Sequence, residues 1–443
     1  MQDAETWKNK HVKNFISFPV EDEIVFKIQM LNWVNRFNIF CLLDNQQYDF
    51  NQPAFECLLA AGCKTNIKAQ AGTAFDDLQI FYAIHKNDWL FGHFGYDLKN
   101  EIENLHSQHP DGIGLSDLHF FVPEIVIELK NKEVKIYADR DAVEIYIEIK
   151  SCPAVISEKI KSNAVVQPKI KKENYLHTIE KLQAHILRGD CYEINFCQEF
   201  FASSAAIDPL FIYNRLTELS PNPFAAFYKM NACYCLCASP ERYMKREGNK
   251  IFSQPIKGTA KRNVADKAAD ESAKNYLLQS AKEKSENVMV VDLVRNDLSR
   301  ICKAGTVTVD ELFGLYSFPQ VHQMISTISG EVEDGLNWID CIKATFPMGS
   351  MTGAPKKRVM ELIEEFEQTK RGLFSGAIGY VRPGGDFDFN VVIRSMLYNA
   401  DEKYISFQTG SGITYSSNAE KEYEECLIKA EAMMQVLNEA GSK

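Results

Sequence analysis

An α+β fold is predicted by three observations on the amino-acid sequence. Helix-period segments and strand-length apolar runs interleave without the regular rhythm of βαβ units. A hairpin turn is legible at Asn131-Lys132-Glu133, so antiparallel neighbours are expected. No repeat of solenoid period is visible. A length of 443 residues allows two domains or one large one. A polar, lysine-rich stretch over 151–173 reads as a linker, and it divides an N-terminal α+β region, 1–165, from a larger domain, 166–443.

The elements follow in chain order. Short strands are expected at Ile39–Leu43, Phe120–Leu129 and Val134–Ala138, with a glycine-punctuated strand-to-loop element at Gly92–Asp97. Leu176, Ile179, Leu182 and Ile186 recur at helical spacing, which predicts a helix over Asn174–Arg188 that Gly189-Asp190 ends. Strand signals then come at Tyr192–Phe201, Phe224–Tyr228, Ala232–Cys237, Tyr243–Lys245 and Lys250–Phe252. One long helix is predicted from about Asp266 to Ile301. The Pro- and Gly-rich loop Phe346–Pro355 precedes a helix over Lys356–Glu367. Strands at Phe374–Val381, Phe387–Tyr398 and Tyr404–Gly410 and a final helix over Ala419–Ala440 complete the chain.

Composition excludes some classes. A net charge of −11 argues against a non-specific nucleic-acid binder. Residues 1–20 are mixed and polar, no apolar run reaches the length of a membrane span, and neither a leader nor a membrane protein is expected. Twelve cysteines are scattered without a paired framework. Cys233, Cys235 and Cys237 alternate along one strand face, which is not zinc spacing. Reduced, buried thiols in a cytoplasmic protein are the expectation.

Several constellations can carry chemistry, each beside a plainer reading. Gln254-Pro255-Ile256-Lys257-Gly258-Thr259 fixes a lysine between a proline and a glycine. It reads as a placed nucleophile or as a surface lysine at a strand end. A nucleophilic amine must be neutral, and Lys261 and Arg262 are expected to supply a cationic field that lowers its pKa. Glu241 is a candidate general acid or an ion-pair partner of Arg242. Glu283 and Glu286 share one helix face, and Glu422 and Glu425 another, after the capping box Ser417-Asn418-Ala419-Glu420. Such facing carboxylates suit Mg²⁺, or form surface pairs such as Glu425 with Lys429. The loop Pro347–Pro355 runs into a helix N-terminus, and Thr409–Thr414 exposes glycine backbone; both are anion-binding geometries. The first lacks the ending of a nucleotide P-loop. Arg394, closing an apolar run, wants a carboxylate from a ligand or from an Asp or Glu.

Taken in order, Gly189–Asn195, Ser239–Arg242, Pro255–Thr259, Glu286–Asp297, Gly349–Lys356, Gly376–Tyr380, Ile393-Arg394, Gly410–Ile413 and Glu422–Glu425 resemble the chorismate-utilising enzymes. The branch resembled is that of aminodeoxychorismate synthase component I. Gly95–Leu98 and Phe120–Glu124 extend the similarity into the N-terminal part. The resemblance implies two orthogonally packed antiparallel sheets sheathed by helices, with 166–443 the chorismate-binding catalytic domain. It implies that Lys257 attacks C2 of chorismate while Glu241 protonates the departing 4-hydroxyl, after which ammonia adds at C4. Glu286 and Glu425 match Mg²⁺ ligands, with Glu422 and Glu283 auxiliary. Thr352, Tyr380, Arg394, Gly410 and Gly412 match contacts to a substrate carboxylate.

The product implied is 4-amino-4-deoxychorismate, on the way to 4-aminobenzoate and folate. The alternative is anthranilate synthase component I, which aminates C2 in tryptophan synthesis. Anthranilate synthases usually carry alanine at the Lys257 position, and isochorismate synthases place a lysine where this chain has Glu193. The first difference favours C4 over C2, and the second favours amination over the addition of water. No Gly-x-Cys-x-Gly nucleophile occurs in the chain, so a separate glutamine amidotransferase subunit, or free ammonia, is expected to supply nitrogen. One departure is Gln323, where many members have histidine, with His322 beside it. A tryptophan-pocket motif is not matched by Cys41–Asn45, so feedback inhibition by tryptophan is not expected.

Overall fold

A computed structural model describes residues 15–48, 55–158, 160–318 and 321–441. Among them the strands form one twelve-stranded and one ten-stranded sheet, with antiparallel pairing throughout. The α+β architecture is therefore as expected. Three apolar cores separate the layers. One lies between the larger sheet and the helices that hold Phe26, Tyr175, Leu216, Leu362 and Met433. A second lies between the smaller sheet and the helices that hold Phe75, Val291, Leu298 and Trp338. The third, with Tyr228, Cys235, Phe91 and Ile378, fills the space between the sheets.

Both sheets draw strands from either side of residue 165. Ile39–Asp44 pairs with Phe224–Met230 in the larger sheet, and Leu90–Phe94 pairs with Ala377–Val381 in the smaller. The lysine-rich stretch joins two parts of one pair of sheets.

Three expected elements are each two. Phe120–Leu129 divides into Leu118–Val122 and Ile125–Lys130, in different sheets, with Pro123 at the break. Proline cannot donate to a ladder, so the strand ends there. Phe387–Tyr398 divides into Phe387–Asn390 of the smaller sheet and Ser395–Asn399 of the larger. Arg394 takes φ +50° at that crossing. The long helix is Lys267–Gln279 followed by Ala281–Ser299, because extended Ser280 caps the second helix by accepting from the Glu283 amide. The hairpin turn is as read: Asn131 and Lys132 take φ 52° and 58°, the left-handed pair of a tight two-residue turn.

The chain also crosses between the sheets at Ser239–Arg242. The two crossings are stitched together, since Val391 donates its amide to Glu241 O at 3.0 Å and Ala238 donates to Arg394 O at 3.2 Å. Glu241 and Arg394 thus sit on neighbouring bridges. No described helix is long and apolar enough to cross a membrane.

Candidate active site

Lys257 comes from the smaller sheet, in the strand Ile256–Lys261, and Glu193 opens the strand Glu193–Ala202 of the larger. The Lys257 ammonium donates to Glu193 Oε1 at 2.7 Å, both side chains being nearly buried. This pair joins the two sheets through an ion pair. Gly412, on the strand beside Glu193, permits it: a Cβ there would lie 2.5 Å from Glu193 Oε1 and 2.9 Å from Lys257 Nζ. Gly258 takes φ +93°, and a Cβ at that position would meet Glu283 Oε2 at 3.1 Å. The spacing of Gly412 and Gly258 around the lysine therefore has a steric origin.

The expected electrostatics of Lys257 are reversed. Burial works to strip its proton, but the carboxylates of Glu193, Glu286 and Glu425 outweigh burial and hold the ammonium above the ordinary lysine value. Arg262 supplies no field of the kind expected, because it is bound to Asp270 at 3.0 Å and to the Phe318 carbonyl. Sequence reasoning singled out the Glu193 position but did not pair it with Lys257. Glu193 lies two residues before Asn195, which pairs with Gly412, so its side chain reaches the space that this glycine leaves open.

Glu241 is buried, and it is not the partner of Arg242. That arginine forks onto Asp388 at 2.9 and 3.1 Å. Glu241 Oε1 instead accepts from Ser350 Oγ at 2.6 Å. Burial raises its carboxyl to about 7, against the opposing pull of Ser350 and Lys257. A carboxyl that keeps its proton near neutral pH is equipped to donate it.

The Pro347–Pro355 loop is tied to the same strand as Glu193. Asn195 donates its amide to Thr352 O and its side-chain Nδ2 to Ser350 O. Gly353 lies so close that a side chain there would strike the Glu193 carbonyl. Arg371, fully buried, locks the loop by donating to Met351 O at 2.7 Å and Asn195 O at 2.8 Å, with Glu367 as its carboxylate. Thr352 is buried, and its hydroxyl is used within the loop, on Met348 O and Gly349 O. Gly410 packs under the Phe196 carbonyl, and its own carbonyl accepts from Lys429 at 2.9 Å. Arg394 has no hydrogen bond or ion pair at its guanidinium among the described residues, so the reading with a structural Asp or Glu partner finds no partner there. Tyr380 packs in the core between the sheets, against Phe91 and Trp89, and no described hydrogen bond joins it to Lys257, Glu241 or Arg394. His322 is engaged by Ser317 and Asp270, and Gln323 Oε1 is buried without a hydrogen bond.

The four helix carboxylates face a common space. Glu283 and Glu286 lie on Ala281–Ser299, and Glu422 and Glu425 on Ala419–Gly441. Glu286 Oε1 and Glu422 Oε2 are buried without a hydrogen-bond donor. Burial raises the Glu286 carboxyl to about 7 and that of Glu283 upward, although Lys257 and Lys282 oppose the shift. Glu425 does form the surface pair with Lys429, at 2.7 Å, and that lysine keeps its pKa low in spite of burial. Among the described residues no three ligating side chains are yet gathered around one point. The donor set still fits a hard divalent cation: oxygen atoms only, two of them buried without a hydrogen-bond donor.

A family model for chorismate binding enzymes matches residues 39–435. The chain is 31% identical over 362 residues to aminodeoxychorismate synthase component 1 of Bacillus subtilis (strain 168), covering 78% of this chain and 76% of that protein. It is 32% identical over 379 residues to anthranilate synthase component 1 of Acetivibrio thermocellus, covering 80% and 76%. The crystal structure of anthranilate synthase component I from Streptococcus pneumoniae superposes with a TM-score of 0.75 at 26% identity, over 87% of this chain and 94% of that one.

Proposed function

The chain belongs to the family of chorismate binding enzymes, and from that membership we propose that it aminates chorismate at C4, giving 4-amino-4-deoxychorismate. The observation that carries the reading is Lys257, a nearly buried amine 2.7 Å from the carboxylate of Glu193. An amine so placed needs only a proton acceptor to become a nucleophile, and Glu193 is that acceptor. Lys257 Nζ bonds to C2, both ring double bonds shift by one position towards C4, and the C4–O bond breaks. Glu241 gives its proton to the leaving hydroxyl, which departs as water, while Glu193 takes the proton from Nζ. Ammonia then bonds to C4 and gives up a proton that restores Glu241, both double bonds return, the Nζ–C2 bond breaks, and Glu193 returns the proton to the amine.

Arg394 suits a substrate carboxylate, having no protein anion of its own among the described residues. The backbone at Gly410 and Gly412, with Thr352 and Tyr380, completes that proposed subsite. Glu286 and Glu425 would hold Mg²⁺, with Glu422 and Glu283 beside them, and the ion when bound would neutralise and orient the ring carboxylate of chorismate. The name component 1 borne by several relatives supports a partner subunit. We read that partner as a glutamine amidotransferase delivering ammonia, and the setting as cytoplasmic.

Incubating the purified chain with chorismate, Mg²⁺ and ammonium tests the reading, with the product identified by mass and chromatography. Aminodeoxychorismate is the expected product. Anthranilate would move the chain to the C2-aminating reading, which the similarity to anthranilate synthases also supports.

A further inference from the structure

Lys282 stands where its own helix gives no reason for a lysine. It lies in the first turn of Ala281–Ser299, where the helix dipole disfavours a cation. It precedes Glu286 by four residues, the weaker order for a helical ion pair. Yet its Nζ lies 3.7 Å from Glu286 Oε1 and 3.7 Å from Glu422 Oε1 of the C-terminal helix. Neither contact is a hydrogen bond at that distance. Lys257 and Lys429, by contrast, each hold a carboxylate at 2.7 Å. Lys282 has settled between two carboxylates rather than on one.

We propose that Lys282 is a resident counter-ion of this carboxylate cluster, which occupies the space between Glu286 and Glu422 until a divalent cation displaces it. The proposal rests on the reading that the cluster takes Mg²⁺. Three features support displacement. Glu422 is 2% exposed and its Oε2 has no donor, so the ammonium leaves part of the demand unmet. The Lys282 side chain is 48% exposed, so its head can swing to water on a flexible stem. A small dication bonds carboxylate oxygen at about 2.1 Å, far closer than this ammonium stands. The lysine relieves repulsion among the four carboxylates when no metal is bound, and it weakens metal binding by competing for the same oxygens.

The test is calorimetric titration of the purified chain with Mg²⁺, comparing wild type with Lys282→Met, which keeps the stem and removes the charge. The expected result is binding tighter by about tenfold in the variant, since one competing charge is gone from a site of intermediate dielectric. The melting temperature without metal is expected to fall in the variant, and the rise on adding Mg²⁺ to grow. Equal or weaker binding in the variant overturns the proposal while leaving the metal reading intact. No binding by either protein removes the metal reading and the proposal with it. Lys282→Gln carries the same comparison if the methionine variant does not fold.

Discussion

At the scale of the residue, the site turns on two unlike ionisable groups. Lys257 is held protonated by carboxylates, and Glu241 is held protonated by burial. The second gives a pH prediction with a definite sign. Glu241 has a folded pKa of about 7, raised from 4.5, so its acid form is lost as pH rises through about 7. The turnover step that needs this acid is therefore expected to decline above that pH, and Glu241→Gln should remove the limb. The variant should also lose about 10²- to 10⁴-fold in kcat, the usual contribution of a positioned acid. A steady-state pH profile of both proteins checks this; a limb that survives in the variant belongs to another group. The same raised pKa costs stability as pH climbs from 4.5 towards 7, because the unfolded chain releases that proton first. Gly412→Ala is the second residue-scale prediction. Its Cβ would press on both partners of the Lys257–Glu193 pair, so kcat/KM should fall by about 10²-fold. Circular dichroism should show the fold unchanged; wild-type kinetics would mean the pair tolerates displacement. Lys257 was legible in the sequence through its Pro and Gly neighbours. The position of Glu193 was singled out as well, but its pairing with Lys257 was not, because a cross-sheet contact leaves no trace in local spacing.

At the scale of the element, the misread boundaries share one cause. Alternation and periodicity report burial, and burial continues across a break. Phe387–Asn390 and Ser395–Asn399 are separated by Val391, Val392, Ile393 and Arg394, and the apolar run of the first three hides the passage from one sheet to the other. Ser280 hides similarly inside a helical pattern, though a serine three residues before a glutamate is a capping signal. The loop before Lys356 was legible as an irregular segment running into a helix; its buried lock was not. Arg371 and Glu367 lie four apart on the sequence, and the arginine is fully buried and reaches the loop and the Glu193 strand together. Glu367→Ala would leave that guanidinium buried without its anion, costing about 3–5 kcal/mol. Urea denaturation measures it directly, and a loss below about 1 kcal/mol would mean that the network is not a structural lock.

At the scale of the whole molecule, the helices and sheets were largely legible, but their sharing was not. Composition suggested a division near residue 165, while hydrogen bonding crosses it in both sheets. Pairing between distant strands has no local signature. Residues 166–443 expressed alone should therefore lack a cooperative unfolding transition, since each sheet would be exposed along an interior strand. A sharp calorimetric transition in that fragment would restore the division. The same closure of two sheets sets Lys257 against Glu193, and the nucleophilic role of that lysine is the central claim. The most direct test is the product that Lys257→Ala makes from chorismate, Mg²⁺ and ammonium, measured beside wild type. Loss of C4 amination, with at most slow C2 amination remaining, is predicted. C4 amination at the wild-type rate would contradict the account.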